Sequence, residues 1–314
     1  MLGVTEIFPI ILIIGVMLFL SEKKILKEAK DTTYKNKQAL TIVVQSRANA
    51  PLNTLIRLLN VCNQLDADGV KVTLKFAGIT NKLLGYCHTI GLLDCLSDGV
   101  SLKCDKSLNQ GLKRKSSGNS YVAIHEISGN TLDKSLPTKL ANKITDEIPD
   151  ISDQDRANLN IQFFSLFSEL TKNVSEHSET ALNGFAALQV YKRGQNPRAE
   201  IVVCDSGIGL LESLKPSFES HNKAYKDYDD LQLIQEMLTI GISSKPGDLG
   251  GNGLSTCFTQ AKATNSDMHI RLSETYYHLH RVAEHDELQS ALLVSTDLFV
   301  LNGTFISFVV PFNK

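Results

Sequence analysis

The chain lacks an excess of charge of either sign, which limits the partners that it can have. Its 32 Lys and Arg residues almost balance its 34 Asp and Glu residues, so the formal net charge is only −2. Domains that bind nucleic acid carry a basic patch or a basic stripe. The short basic run Lys113-Arg114-Lys115 is better explained by a solvated loop. The composition therefore predicts no nucleic-acid partner.

The chain also lacks the cysteine spacings that mark disulfide scaffolds and zinc sites. The chain has six cysteines, and no two of them form a C-x-x-C pair. Disulfide scaffolds and zinc sites have recognisable cysteine spacings, and this sequence shows none of them. The cysteines therefore predict a protein that works in a reduced, intracellular setting.

Only the N-terminus contains a long apolar run. Ile7–Leu20 reads IFPIILIIGVMLFL, and with Leu2–Glu6 it reaches about 19 residues, close to the length that spans a bilayer. Lysines follow at positions 23, 24, 27 and 30, and positively charged flanks stay cytoplasmic. We therefore predict a hydrophobic anchor helix at 1–20 and a linker at 21–38, with the body at the inner face of the cytoplasmic membrane. A buried core helix or a peripheral hairpin is the alternative for this segment.

The rest of the chain divides into two units, each long enough to form a core. In residues 39–130, strand-like and helix-like segments alternate, which predicts a small α/β sandwich. We predict that residues 131–150 form a helix that connects this unit to the second one. Residues 151–314 begin with a long helix and continue with strands at 184–191, 198–204 and 303–310. This pattern predicts a second α/β (α+β) sandwich.

The long helix of the second unit carries a polar stripe beside its apolar face. Glu169, Asn173 and His177 recur at a spacing of four residues, so they lie one above the other on the helix. A carboxylate and an amide oxygen one turn apart can hold Mg²⁺ and a water, because Mg²⁺ prefers oxygen ligands and keeps several waters. A solvated helix face is the alternative explanation of the stripe.

Three further motifs follow in order along the chain. The first is Asp205-Ser206-Gly207-Ile208-Gly209, in which a carboxylate ends an apolar strand and glycines let the backbone approach a ligand. The second is the glycine-rich segment from Gly241 to Gly253, which contains Lys245 and precedes a helix, where backbone N–H groups can bind an anion. The third is Gly303-Thr304, at the start of the last strand. Taken singly, each could be an ordinary turn, loop or strand start.

Together these motifs resemble those of the GHKL (HATPase_c, Bergerat-fold) ATP-binding superfamily. The E-x-x-x-N-x-x-x-H helix is most similar to that of the anti-sigma-factor serine kinases, while D-S-G-I-G and G-G-N-G-L at 250–254 look like the two glycine boxes. The order and spacing of the motifs over residues 169–304 make the combination more specific than any one of them. No H-E-x-x-x-P dimerisation motif of histidine kinases is present.

The resemblance implies a role for each matching position, with ATP and Mg²⁺ as the ligands. Glu169 would be the general base and Asn173 the Mg²⁺ ligand. Asp205 would bind adenine. The remaining nucleotide-contacting positions would be His177, Gly207, Gly209, Lys245, Gly251, Gly253, Leu254 and Thr304. Residues 241–250 would form a lid that closes over the nucleotide.

The first unit is similar to STAS-like domains over Leu58–Asp98. Phosphorylatable STAS domains have a D-S-[ST]-G motif after the central strand, whereas this chain has Gly78-Ile79-Thr80-Asn81 there. The phosphoacceptor serine is therefore missing. His278, His280 and His285 form a separate cluster in a segment that looks polar. A metal site is one hypothesis for this cluster, and ordinary polar residues are the other.

Three functions fit the motifs. The first is a slow Mg²⁺-dependent ATPase or nucleotide-gated switch that regulates a protein partner, with a homodimer as one arrangement. The second is a serine or histidine protein kinase or an anti-sigma-like regulator, which uses the same ATP site. The third is a membrane-attached scaffold whose nucleotide site has decayed.

Overall fold

The computed structural model divides the chain into two compact units, residues 1–116 and 117–314. It describes residues 10–14, 39–45, 50–77, 82–104, 120–128, 133–177, 180–192, 196–213, 215, 227–239, 253–280, 292–296 and 300–312. Each unit has its own sheet, one parallel and one antiparallel, so the prediction of a mixed α/β protein is confirmed.

The first unit contains a four-stranded parallel sheet in the order β1-β2-β3-β4. Its strands are β1 (Ile10–Ile14), β2 (Ala39–Gln45), β3 (Lys71–Ala77) and β4 (Ser101–Cys104). Its helices are α1 (Leu52–Ala67) and α2 (Lys82–Thr89), followed by a 3-10 turn at Leu93–Cys95. Parallel strands need crossover connections, and the two helices supply those between β2, β3 and β4.

Glycines follow the ends of both helices of the first unit. Gly69 follows α1 with a φ of +79°, and Gly91 follows α2 with a φ of +82°, a region that glycine enters without strain. Beyond Gly91, the Asn63 amide holds the chain in place. It donates to the Cys95 carbonyl at 2.9 Å and accepts from the Ser97 N–H at 2.9 Å.

The second unit contains a seven-stranded antiparallel sheet in the order β10-β9-β8-β11-β7-β6-β5. Its strands are β5 (Tyr121–Ile127), β6 (Gly184–Tyr191), β7 (Arg198–Cys204), β8 (Asp267–Ser273), β9 (Thr275–Leu279), β10 (Leu292–Ser295) and β11 (Leu301–Pro311). Its helices are α3 (Leu136–Thr145), α4 (Asp153–His177), α5 (Asp230–Thr239) and α6 (Gly253–Ala263).

The apolar stripe of α4 packs into one core with α3, α5, α6 and alternate residues of the strands. The side chains of this apolar stripe are all buried, namely Phe163, Leu166, Phe167, Leu170 and Val174. The helix begins with a side-chain cap. The Ser152 hydroxyl accepts the Asp155 N–H at 3.1 Å and donates to the Asp155 carboxylate at 2.7 Å, which satisfies a backbone donor at the helix start.

Two predictions about the organisation of the chain are wrong. Strand Tyr121–Ile127 exists as predicted, but it pairs with β6 of the second sheet and so belongs to the second unit. The first unit therefore ends before residue 130, because hydrogen bonding to β6 extends the antiparallel sheet. Ile10–Ile14, expected to be helical, forms strand β1 and pairs in parallel with β2.

Most of the predicted anchor segment 1–20 lies outside the described residues, so membrane attachment stays a prediction. Among the helices that the structure does describe, none combines the length and the apolar character that a bilayer crossing requires.

Candidate functional site

A buried carboxylate lies where β7 ends. Asp205 follows Cys204 and is only 7% exposed. Its Oδ1 accepts the Gly207 N–H at 2.8 Å, and its Oδ2 accepts the Thr304 N–H at 3.2 Å. The Asp205 N–H in turn donates to the Thr304 carbonyl at 2.9 Å. Backbone groups on both sides therefore fix the direction of this side chain.

Two glycines let the backbone close around this carboxylate. Gly209 and Gly303 have φ values of +84° and +87°, and they lie against each other. The register of β11 with β8 shifts between Leu301 and Thr304, beside Gly303. At this irregularity the Thr304 hydroxyl accepts the Leu210 N–H at 3.0 Å, which links the start of β11 to the segment that follows Gly209.

Helix α4 forms the opposite wall, and small residues bring it close to its neighbours. A methyl group on Gly184 would overlap the Val174 side chain, so this glycine lets α4 lie near the end of β7. A methyl group on Gly253, the first residue of α6, would lie 2.9 Å from Nδ2 of Asn173. The Asn173 amide is therefore held against the start of α6.

These elements form the walls of one pocket that is partly open to solvent. Its lining residues are Leu170, Asn173, Val174, Val203, Asp205, Gly209, Leu210, Ser213, Leu254, Thr304 and Ile306. Most of these side chains are apolar, and a few polar groups converge between them. Such a lining is typical of a small-molecule site whose polar groups orient the ligand.

Burial also changes the acidity of the carboxyl group in this pocket. Desolvation raises the pKa of Asp205 from 3.8 to about 6, and hydrogen bonds from Gly207 and Thr304 act in the opposite direction. The fold thus favours the protonated acid, so this group contributes stability at low pH that is lost as the pH rises past about 6. A ligand that donates a hydrogen bond to the carboxylate would offset this loss.

No protein-family model matches the chain, and no curated protein matches it either. The function of the pocket therefore has to be argued from its chemistry and from the sequence motifs.

The structure brings five of the predicted residues together in the pocket lining, namely Asn173, Asp205, Gly209, Leu254 and Thr304. Two more support them: Gly207 donates to Asp205, and Gly253 lies against Asn173. Lys245 and Gly251, with the predicted lid 241–250, lie outside the described residues, and so does the side chain of His177.

The other predicted site residue with a described side chain is Glu169. It lies one turn before Asn173 on α4, but it is not among the described residues that line the pocket. Its charge acts on the buried thiol of Cys257 in α6, whose pKa is raised first by desolvation and then by this neighbouring carboxylate. Glu169 therefore lies beside α6.

The sequence reasoning missed the apolar walls of the pocket. Val203 and Ile306 come from adjacent antiparallel strands, and Leu170 and Val174 come from the buried face of α4. The signal that could have found the strand residues is the alternation of β7 and β11, in which every second residue shares the face of Asp205 or Thr304. Ser213 also went unnoticed, because nothing in its local sequence marks it.

The contact between Gly303 and Asp205 gives the first prediction. A methyl group at Gly303 would overlap the Asp205 backbone oxygen and lie 2.7 Å from its Oδ1, whereas one at Gly209 would lie 3.2 Å from the Gly303 oxygen. Both replacements place alanine in the left-handed backbone conformation, which lowers the free energy of unfolding by about 1–2 kcal/mol. In Gly303→Ala the steric overlap lowers it by about 1–3 kcal/mol more. Urea unfolding followed by circular dichroism should show the larger loss for Gly303→Ala. Equal losses in the two variants would contradict the close approach.

Proposed function

We propose that the second unit binds ATP together with Mg²⁺ at this pocket, in the manner of the GHKL superfamily that its motifs resemble. The observation that carries the proposal is the buried Asp205 carboxylate at the floor of an apolar-walled pocket, between a helix that presents Asn173 and a strand that presents Thr304. A decayed site is the alternative, and it predicts that the pocket binds no nucleotide.

The floor of the pocket suits the base of the nucleotide. Adenine is flat and apolar on its faces, and it carries an exocyclic amine at its edge. The apolar side chains of Val203, Ile306 and Leu170 can cover its faces. Asp205 accepts one backbone N–H at each carboxylate oxygen, and an ionised carboxylate can accept a further hydrogen bond from the amine. Guanine presents a carbonyl oxygen at the equivalent edge position, which a carboxylate repels.

The mouth of the pocket suits the phosphates and their metal ion. Asn173 lies in the pocket wall beside the first residue of α6. Its amide oxygen would be the protein ligand of Mg²⁺, which takes few protein ligands and completes its shell with phosphate oxygens and water. The N–H groups at the start of α6 would face the phosphates. Lys245, Gly251 and the lid 241–250 would cover them.

Glu169 would act on the water that attacks the γ-phosphate. It would accept a proton from that water as the water oxygen bonds to phosphorus and ADP leaves. Closure of the predicted lid 241–250 over the nucleotide would hold that water against the acid. The proposed activity is therefore slow ATP hydrolysis, with the closed state acting as a switch on a protein partner or on a second copy of the chain.

The proposal is tested by calorimetry on the full-length chain. Mg-ATP should bind with a stoichiometry of one per chain, and more tightly than Mg-GTP. The absence of binding heat and of any thermal shift with either nucleotide would favour the decayed-site alternative instead.

The role of Glu169 is tested by replacing it. Glu169→Ala should leave ATP affinity within a few-fold of the parent and lower turnover by about 10²–10⁴-fold, the contribution of a general base. Phosphate release under saturating ATP measures this, and Glu236→Ala on α5 is the control. Turnover equal to that of the parent would remove Glu169 from the base role.

Phosphotransfer is the second candidate, because the E-x-x-x-N-x-x-x-H helix is most similar to that of anti-sigma-factor serine kinases. ATP labelled in its γ-phosphate separates the two activities. Label appearing only as free phosphate supports hydrolysis, whereas label on a protein serine or histidine supports a kinase. The STAS-like first unit is a poor acceptor in this proposal, since its serine motif is missing.

A further inference from the structure

A second cluster of ionisable side chains lies at one end of the β8–β9 hairpin. Asp267, His278 and His280 place one ligand atom each within 4.8 Å of the others. His280 Nδ1 lies 3.0 Å from Asp267 Oδ1, and His278 Nε2 lies 4.0 Å from Asp267 Oδ2. The two histidines belong to the cluster seen in the sequence, but His278 lies on strand β9 rather than in a polar loop, and His285 is outside the described residues.

Strand register explains why these three residues meet. Met268 pairs with Leu279 and His269 pairs with His278. Asp267 and His280 are each one residue beyond the Met268–Leu279 pair, so they lie opposite each other. Directly opposed residues of antiparallel strands point to the same face. Two residues of one strand and two of the next thus project from one patch of the sheet.

This patch is on the other face of the sheet from the nucleotide pocket. Met268 and Leu279 belong to the core that the helices cover, and Val203 and Ile306 of the pocket belong to the same core. Because side chains alternate along a strand, Asp267 and His278 point away from that core. The cluster is therefore separate from the proposed Mg-ATP site.

One atom of the cluster is a candidate ligand for a metal ion. His278 Nε2 is buried and makes no hydrogen bond to any residue that the structure describes. A buried polar atom without a partner is unfavourable, and an imidazole nitrogen in that state is suited to coordinate a metal ion. Its nearest acidic oxygen, at 4.0 Å, is too far for a hydrogen bond but close enough to share a metal ion with it.

We propose that Asp267, His278 and His280 bind a divalent first-row transition-metal ion such as Zn²⁺. Two imidazole nitrogens and one carboxylate are a common set of protein ligands for such ions, with water or another ligand in the open position. Mg²⁺ and Ca²⁺ prefer oxygen ligands throughout, so this donor set selects against them.

The neighbouring rings hold the two histidines in place for this role. The His269 ring stacks on His278 with centroids 4.3 Å apart, and the Tyr276 hydroxyl is 2.7 Å from His269 Nδ1. His280 meets the edge of His278 at 5.6 Å between centroids. Such outer contacts orient ligating rings before the metal arrives. A bound ion would join the start of β8 to the end of β9.

Metal binding by the full-length chain, purified without a polyhistidine tag and stripped with a chelator, tests this proposal. Titration with Zn²⁺ against a chromophoric competitor should show one site per chain that a large excess of Mg²⁺ does not displace. Asp267→Asn, His278→Gln and His280→Gln should each weaken Zn²⁺ binding by about 100-fold or more, above the range for losing an outer contact. His88→Gln, in the first unit, is the matched control and should bind as the parent does.

The variants must also be shown to fold. His278→Gln loses the ring contact with His269, so its melting temperature in chelator should be somewhat lower than that of the parent, while its circular dichroism should match. Zn²⁺ should then raise the melting temperature of the parent but not that of His278→Gln. If the parent binds no Zn²⁺, or if all the variants bind it equally, Asp267 and His280 form an ion pair only and the proposal is wrong.

Discussion

Asp205→Asn is expected to weaken ATP binding by about 10–150-fold, the equivalent of the 1.5–3 kcal/mol that a hydrogen bond to a charged group contributes. The amide can present either its oxygen or its NH₂ group to the base, so the variant no longer excludes guanine. The ratio of ATP to GTP affinity should therefore fall by about tenfold or more. Calorimetry with both nucleotides measures this ratio.

The same replacement should leave the chain folded, because two effects on the free energy of unfolding oppose each other. The Gly207 and Thr304 N–H groups both need an acceptor, and one of them would face the NH₂ group of asparagine, which destabilises the fold. Against this, the variant removes a buried charge whose pKa of about 6 shows that ionisation is unfavourable. Circular dichroism of Asp205→Asn should match that of the parent.

A pH series gives an independent readout of the same side chain. An amine donor needs the ionised carboxylate, so affinity for adenosine should be constant above about pH 6 and should fall as the pH drops below that value. Adenosine is the better probe because it has no titrating phosphate. The dependence should vanish in Asp205→Asn and persist in the exposed control Asp146→Asn. Unchanged ATP-over-GTP selectivity in Asp205→Asn would refute the base-binding role.

Asn173→Ala is expected to abolish the part of nucleotide affinity that depends on Mg²⁺. The amide oxygen is the protein ligand that we assign to the ion, and alanine provides no oxygen in its place. In the parent, ATP should bind more tightly with Mg²⁺ than with a chelator present. In the variant the two affinities should be equal, which the same calorimetric titrations would show.

Two matched variants sharpen this test. Asn158→Ala makes the same chemical change on the exposed face of the same helix and should behave as the parent does. Asn173→Asp replaces the amide oxygen with a carboxylate, a ligand that Mg²⁺ also accepts, and should keep the Mg²⁺ effect. A Mg²⁺ effect that survives in Asn173→Ala would exclude this residue as the metal ligand.

Helix ends and single strands were predicted best, because residues close in sequence determine them. The start of α4 at Ser152 follows from a capping pair, and the break at Gly91 follows from a residue that tolerates positive φ. Strands β6 and β7 were predicted within the residues that form them, because both are apolar and bounded by turn residues.

Pairing between distant segments could not be predicted from local sequence. The residues of Tyr121–Ile127 predict a strand but not its partner, and hydrogen bonding to β6 assigns this strand to the second sheet. Strands β8, β9 and β10 were not predicted, although β8 (DMHIRLS) alternates polar and apolar residues as a strand does. Their pairing with β11 and with one another forms the sheet edge that carries the proposed metal site.

The candidate site was predictable to the extent that its residues lie at the ends of strands and helices. Asp205 and Thr304 meet because adjacent antiparallel strands β7 and β11 place Cys204 opposite Phe305. The four-residue spacing predicts Glu169 on the same side of α4 as Asn173, but it does not determine what Glu169 contacts there. Whether it faces the pocket or α6 depends on tertiary packing.

A structure of the chain with Mg²⁺ and an unhydrolysable ATP analogue tests the central claim most directly. We predict the exocyclic amine of the base within hydrogen-bonding distance of Asp205 and the metal ion on the Asn173 oxygen. A base bound away from Asp205, or an empty pocket at saturating analogue, would contradict the assignment of this pocket to ATP.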